Sequence, residues 1–111
     1  MDKEILKGFI SIILLSLLKN NDMYGYQLSR EIKELSNNQF LISEGTLYTA
    51  LKRLEENNYI TSYWVKIEQK LVERKYYKIT LDGINILNEK IDDYKILNSI
   101  IISCLRGEKD E

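Results

Sequence analysis

The chain has 111 residues, 44% hydrophobic and 30% charged, with no proline and five glycines, which suits one helix-rich folding unit and excludes a disordered, collagen-like or turn-rich sandwich chain. Sixteen Lys and Arg against seventeen Asp and Glu leave a net charge of −1, so contact with a polyanion requires a local basic surface. With no histidine and one cysteine, Cys104, the chain lacks the parts for hydrolytic triads, imidazole bases, zinc sites and internal disulfides, and the sequence points to no enzyme, metal or cofactor.

The first predicted element is an apolar helix. Ile5 to Leu18 is too short for a membrane span and is broken by Lys7, while Leu6, Ile10, Ile13 and Leu17 share one face. Phe9, Ile12 and Leu14 widen that stripe until two sides need cover. The polar Lys19-Asn20-Asn21-Asp22 follows, with Asp22 placed to cap a second helix starting at Met23 or Tyr24 and carrying Leu28, Ile32 and Leu35. Ser36-Asn37-Asn38 ends that helix.

A third helix is capped by Ser43. Leu47, Ala50, Leu51 and Leu54 share its inner face, and Gly45, Thr49 and Lys52 lie opposite, flanked by Tyr48, Thr46 and Arg53. Small residues that admit close approach, hydroxyls and cations at a helix N-terminus suit a DNA-reading helix, although an ordinary solvated face has the same composition. Glu55 and Glu56 are adjacent, diverge on the helix and read as solvated, as do Asp92 and Asp93. No glycine-rich phosphate loop is present.

From Ile60 the period changes to two. Ile60–Ile67 and Arg74–Thr80 read as strands of a hairpin, and the link Glu68–Glu73, lacking glycine and asparagine, predicts a long tip instead of a tight turn. Lys66, Lys70, Arg74, Lys75 and Lys78 sit there. Residues 43–80 hold seven basic and five acidic side chains, whereas 81–111 hold four and seven. Trp64, in the first strand, reads as a packing residue.

After Thr80, a cap, the positions Ile84, Leu87, Ile91, Tyr94, Asn98, Ile101 and Leu105 form a heptad seam, and Ile96, Leu97, Ile100, Ile102 and Cys104 add more apolar surface than one chain covers. A partner helix is implied. Asn98 either fixes register across the seam or faces solvent, and Cys104 reads as a small buried hydrophobe.

Three helices followed by a hairpin is the order of a winged helix-turn-helix. The stretches Leu6-Lys7-Gly8, Met23-Tyr24-Gly25-Tyr26, Ser43-Glu44-Gly45-Thr46-Leu47-Tyr48, Ala50-Leu51-Lys52-Arg53-Leu54-Glu55 and Arg74-Lys75-Tyr76-Tyr77-Lys78-Ile79-Thr80 with Gly83 resemble the PadR family of bacterial transcriptional regulators, in its shorter form. The resemblance implies a cytoplasmic homodimeric repressor that binds a double-stranded operator with two-fold related half-sites, the third helix in the major groove and the wing on the backbone. Thr49 departs from the family's frequent proline, and the wing lacks the glycine and arginine run of many members.

The expected fold is therefore mostly α with a small β-hairpin. A winged DNA-binding domain at 1–80 contains the N-terminal helix, a dimerisation helix follows at 81–106, and a charged tail occupies 107–111. The expected DNA contacts are Tyr24, Ser43, Gly45, Thr46, Tyr48, Thr49, Lys52, Arg53, Lys70, Arg74 and Lys75. The expected dimer seam is Ile84, Leu87, Ile91, Asn98, Ile101 and Leu105. Relatives place an aromatic residue of the last helix beside an inter-subunit cavity for planar effectors; Tyr94 matches it, either as a platform for a small hydrophobic effector or as an interface tyrosine filling its own space. The alternative function is a winged-helix adaptor that holds a protein partner through the same surfaces.

Overall fold

The computed structural model describes residues 1–107. Helix α1, Lys3–Asn20, starts where the Asp2 carboxylate accepts the amides of Glu4 and Ile5 at 2.7 and 3.2 Å. Ile10 and Leu17 of the expected face are buried, but Leu14, Leu15 and Leu18 are its most buried residues, while Leu6 and Ile13 are half-buried. Its inward face is thus turned from the expected line, because the helix packs against α3 (Glu44–Glu56), α4 (Leu81–Arg106) and strand β3 (Val72–Ile79).

The second helix begins later than the spacing predicts. Met23–Tyr24 is a short strand, β1, antiparallel to β3 with Met23 opposite Tyr77 and Tyr24 opposite Tyr76, and α2 runs Gly25–Leu35. Asp22 therefore caps nothing: its carboxylate accepts the Tyr63 hydroxyl at 2.6 Å. Leu28 and Ile32 are buried, but Leu35 is exposed at the end of the helix. Asn37 and Asn38 adopt left-handed backbone (φ 53° and 64°), and the Asn38 amide returns to the Lys33 carbonyl at 2.9 Å. The Ser36 hydroxyl accepts the Phe40 amide at 3.1 Å, turning Phe40 and Ile42 back against the core.

Helix α3 has the predicted cap, with Ser43 Oγ accepting the Thr46 amide at 3.2 Å. Leu47, Leu51 and Leu54 are buried. Strand β2 (Ile60–Ile67) pairs with β3 from Ile60 opposite Ile79 to Ile67 opposite Val72, giving the sheet order β1-β3-β2. The second strand starts two residues before the expected Arg74, since Val72 and Glu73 find partners in Ile67 and Lys66. The tip contracts to a single 3-10 turn, Glu68–Lys70, followed by Leu71 in left-handed conformation (φ 52°).

Helix α4 is aimed by its first turn. Thr80 Oγ1 accepts the Gly83 amide at 3.0 Å and donates to the Asn58 carbonyl at 2.7 Å. Gly83 lies so close to the Tyr59 carbonyl that a Cβ there would collide with it and with Ile79 Cγ1 at 2.7 Å. Leu87 is 1% exposed within the chain's own core, and Ile91 packs against that core. These two expected seam positions are used inside the chain, because a heptad pattern does not say which apolar surface answers it. The helix ends at Gly107 (φ 71°). Residues 108–111 of the expected tail lie outside the described residues. Among the described residues no helix is long and apolar enough to cross a membrane.

Candidate nucleic-acid interface

The outer face of α3 is turned to solvent. Gly45, Thr46, Tyr48, Thr49, Lys52 and Arg53 are all exposed. A Cβ built on Gly45 meets nothing within 4 Å, so the fold itself does not require glycine there. Ser43 is occupied as the cap: its hydroxyl accepts the Thr46 amide and donates to Thr46 Oγ1 at 2.9 Å. Thr46 then keeps its own hydroxyl proton to donate outward. Lys52 and Arg53 form no ion pair among the described residues. Tyr48 is held differently, its ring lying over the Cα of Gly25 so closely that a Cβ there would strike its hydroxyl and Cζ.

One flank of α3 borders a groove of about 910 Å³ whose other wall is the start of α1. Lys3, Lys7 and Arg53 line it with no carboxylate among the lining residues, over a floor that includes Leu6, Ile10 and Phe40. The two lysines are absent from the expected interface; their i, i+4 spacing on α1 was the available signal.

The wing separates cations that are adjacent in sequence, since successive strand residues point to opposite faces. Arg74 shares a face with Tyr24, Tyr63 and Tyr76, and its Cζ lies 4.5 Å from the centre of the Tyr24 ring. Lys75 is on the other face, its Nζ 3.7 Å from Glu55 Oε1 and 5.4 Å from the Tyr77 ring centre. Glu55 Oε2 also accepts the Ser62 hydroxyl at 2.7 Å, which ties the wing to the end of α3. The Tyr77 hydroxyl is held above its ordinary pKa by burial and then by the Glu55 charge. Lys70 is exposed on the tip, and Trp64, expected to pack, is 64% exposed opposite Lys75.

Comparison with known proteins bears on this arrangement directly. The model of the transcriptional regulator PadR-like family matches residues 14–89, from within α1 through the wing into α4. The chain belongs to the PadR-like family. Its members are transcriptional regulators and not enzymes. A transcriptional regulator from Clostridium thermocellum superposes with a TM-score of 0.83 at 37% identity, covering 91% of this chain and 97% of that one. A PadR family regulator from Clostridium difficile gives 0.77 at 33%, covering 87% and 98%. A protein of Lysinibacillus sphaericus is 36% identical over 104 residues, 94% of either chain.

Beyond the stretch matched by the PadR-like model, and past Ile91, which still packs against the core, α4 carries an exposed apolar row. Ile96, Leu97, Ile100, Ile101, Ile102 and Leu105 are all exposed. Cys104, expected to be buried, is exposed as well, and so is Asn98; Ile84 is half-buried. Tyr94 is 43% exposed, with its ring edge-on to Phe9 at 5.5 Å.

Proposed function

We propose that this PadR-like regulator is a DNA-binding repressor that acts as a homodimer on an operator with two-fold related half-sites. The observation that carries the reading is the outer face of α3, where a glycine the fold does not require, threonine hydroxyls and two cations with no ion pair among the described residues occupy one exposed surface. In a major groove, Gly45 permits close approach, Thr46 and Thr49 reach base edges or phosphates, and Lys52 and Arg53 take phosphates. Lys3 and Lys7 extend that cationic surface along the flank. The apolar end of α4 supports a second copy as the partner, with α1 beside it, since a water-exposed row of this size is stable only when covered. The contact between Tyr94 and Phe9 favours a packing tyrosine over an effector platform.

Fluorescence anisotropy of a labelled promoter duplex across a salt series tests this. Affinity falls steeply as salt rises, because phosphate contacts release counterions. Lys52→Ala and Arg53→Ala weaken specific and random duplexes alike, whereas Thr49→Ala changes the preference among operators. A protein that binds no duplex at any salt concentration is instead the adaptor.

A further inference from the structure

We infer that Arg74 is the wing side chain that grips a DNA phosphate and that Tyr24 acts through it as a positioning residue. This rests on the DNA-binding reading above. A planar guanidinium has two separable surfaces: its π-face stacks on a ring, and its N–H edge carries the hydrogen-bond donors. The Cζ of Arg74 lies over the Tyr24 ring, 4.5 Å from its centre, and no carboxylate pairs with it among the described residues, so its N–H donors have no anionic partner there.

The ring that holds it is itself braced. Tyr24 meets Tyr76 edge-on at 5.5 Å and stacks with Tyr26 at 6.4 Å, and Tyr76 stacks on Tyr63 at 5.8 Å. The Tyr63 hydroxyl engages the Asp22 carboxylate at 2.6 Å, which occupies the acid beside β1. A row of rings across all three strands therefore fixes one arginine on the outer face. Its neighbour Lys75 is directed to Glu55 on the opposite face. The two adjacent cations have different tasks: Arg74 faces the nucleic acid, and Lys75 fastens the wing to α3.

The test is a double-mutant cycle read by duplex anisotropy with the full chain. Arg74→Lys keeps the charge but loses the stacked, bidentate edge, so it weakens binding about fivefold, as does Tyr24→Leu. Tyr24→Phe, which keeps the ring face, restores most of the affinity. In the Arg74→Ala background, which lowers the salt slope by about one unit, Tyr24→Leu adds nothing further. The proposal is overturned if Tyr24→Phe is as damaging as Tyr24→Leu, since the hydroxyl would then touch DNA itself, or if the two losses add. If the wild-type chain binds no duplex, the DNA reading fails with the phosphate role. The stacking is then judged alone by the ring-current shift of the Arg74 side-chain protons, which disappears in Tyr24→Leu if Tyr24 holds the arginine.

Discussion

Tyr48 and Gly25 show how one residue's freedom depends on another's bareness. The Tyr48 ring takes the place a Cβ would fill at the first position of α2, so Gly25→Ala forces the ring outward and overpacks the contact. Urea unfolding is expected to show a loss of about 1 kcal/mol, at the low end for overpacking because the hydroxyl end of the half-exposed Tyr48 ring can move aside. In a Tyr48→Ala background the same change reverses sign, because alanine in a helix is favoured over glycine by about 0.5–1 kcal/mol once the clash is gone. A loss of equal size in both backgrounds rules out the ring as the cause. The pairing of MYGY with SEGTLY in the sequence has a physical origin here: the glycine of one motif is the seat for the tyrosine of the other.

Among the elements, the two edge strands of the sheet are linked across the central β3 by a bond between distant residues. Tyr63 on β2 donates to Asp22 in the segment before β1, and that bond, more than burial or the Asp22 charge, raises the Tyr63 pKa above its ordinary value of 10.0. A raised tyrosine pKa favours the folded state with full effect below the ordinary value, and the contribution is lost as pH rises through the folded one. Carbon NMR of the Tyr63 ring is expected to titrate above 10.0, and Asp22→Ala to move the midpoint down. An unmoved midpoint would show that Asp22 is not the cause.

The same region marks the limit of local sequence reading. Helix α3 was legible because Ser43, the leucine spacing and the outward hydroxyls all lie within one continuous stretch. Strand β1 was not, because two residues carry no period and Met23 and Tyr24 become a strand only through Tyr76 and Tyr77, more than fifty positions on. Asp22 accordingly read as a cap when its partner lay in β2. The alternation of Arg74 and Lys75 was legible as charge, but their different partners depend on Tyr24 and Glu55. Leu87 read as seam because burial by the chain itself and burial by another copy leave the same heptad.

The described molecule measures 66 × 31 × 21 Å, elongated as a single-core globule of its size would not be. The homodimer proposed above would account for that length, and Ile101→Asp tests it. Ile101 is 57% exposed within the chain, so an aspartate there leaves the chain folded. It disfavours the dimer, in which the carboxylate would be buried unpaired. Light scattering is expected to report half the wild-type mass with an unchanged helical spectrum, and operator affinity to fall with it. A persistent dimer that binds normally places the interface elsewhere.

Gly83 gives the long helix a mechanical character. It presses directly on the Tyr59 carbonyl, and Thr80 bonds Asn58, so α4 is pinned at its root to the turn that joins α3 to β2. The end of α4 beyond Tyr94 is then a lever, held behind by Leu87 in the core, Ile91 against it and Tyr94 against Phe9. Tilting it by about 5° carries the tip, about twelve residues away at about 1.5 Å each, through roughly 1.5 Å. In the proposed dimer, a displacement between two copies at that end would reach α3 and the wing through this root, so the pose of the proposed DNA-facing surface would be adjustable from the far side of the molecule with no change in that surface.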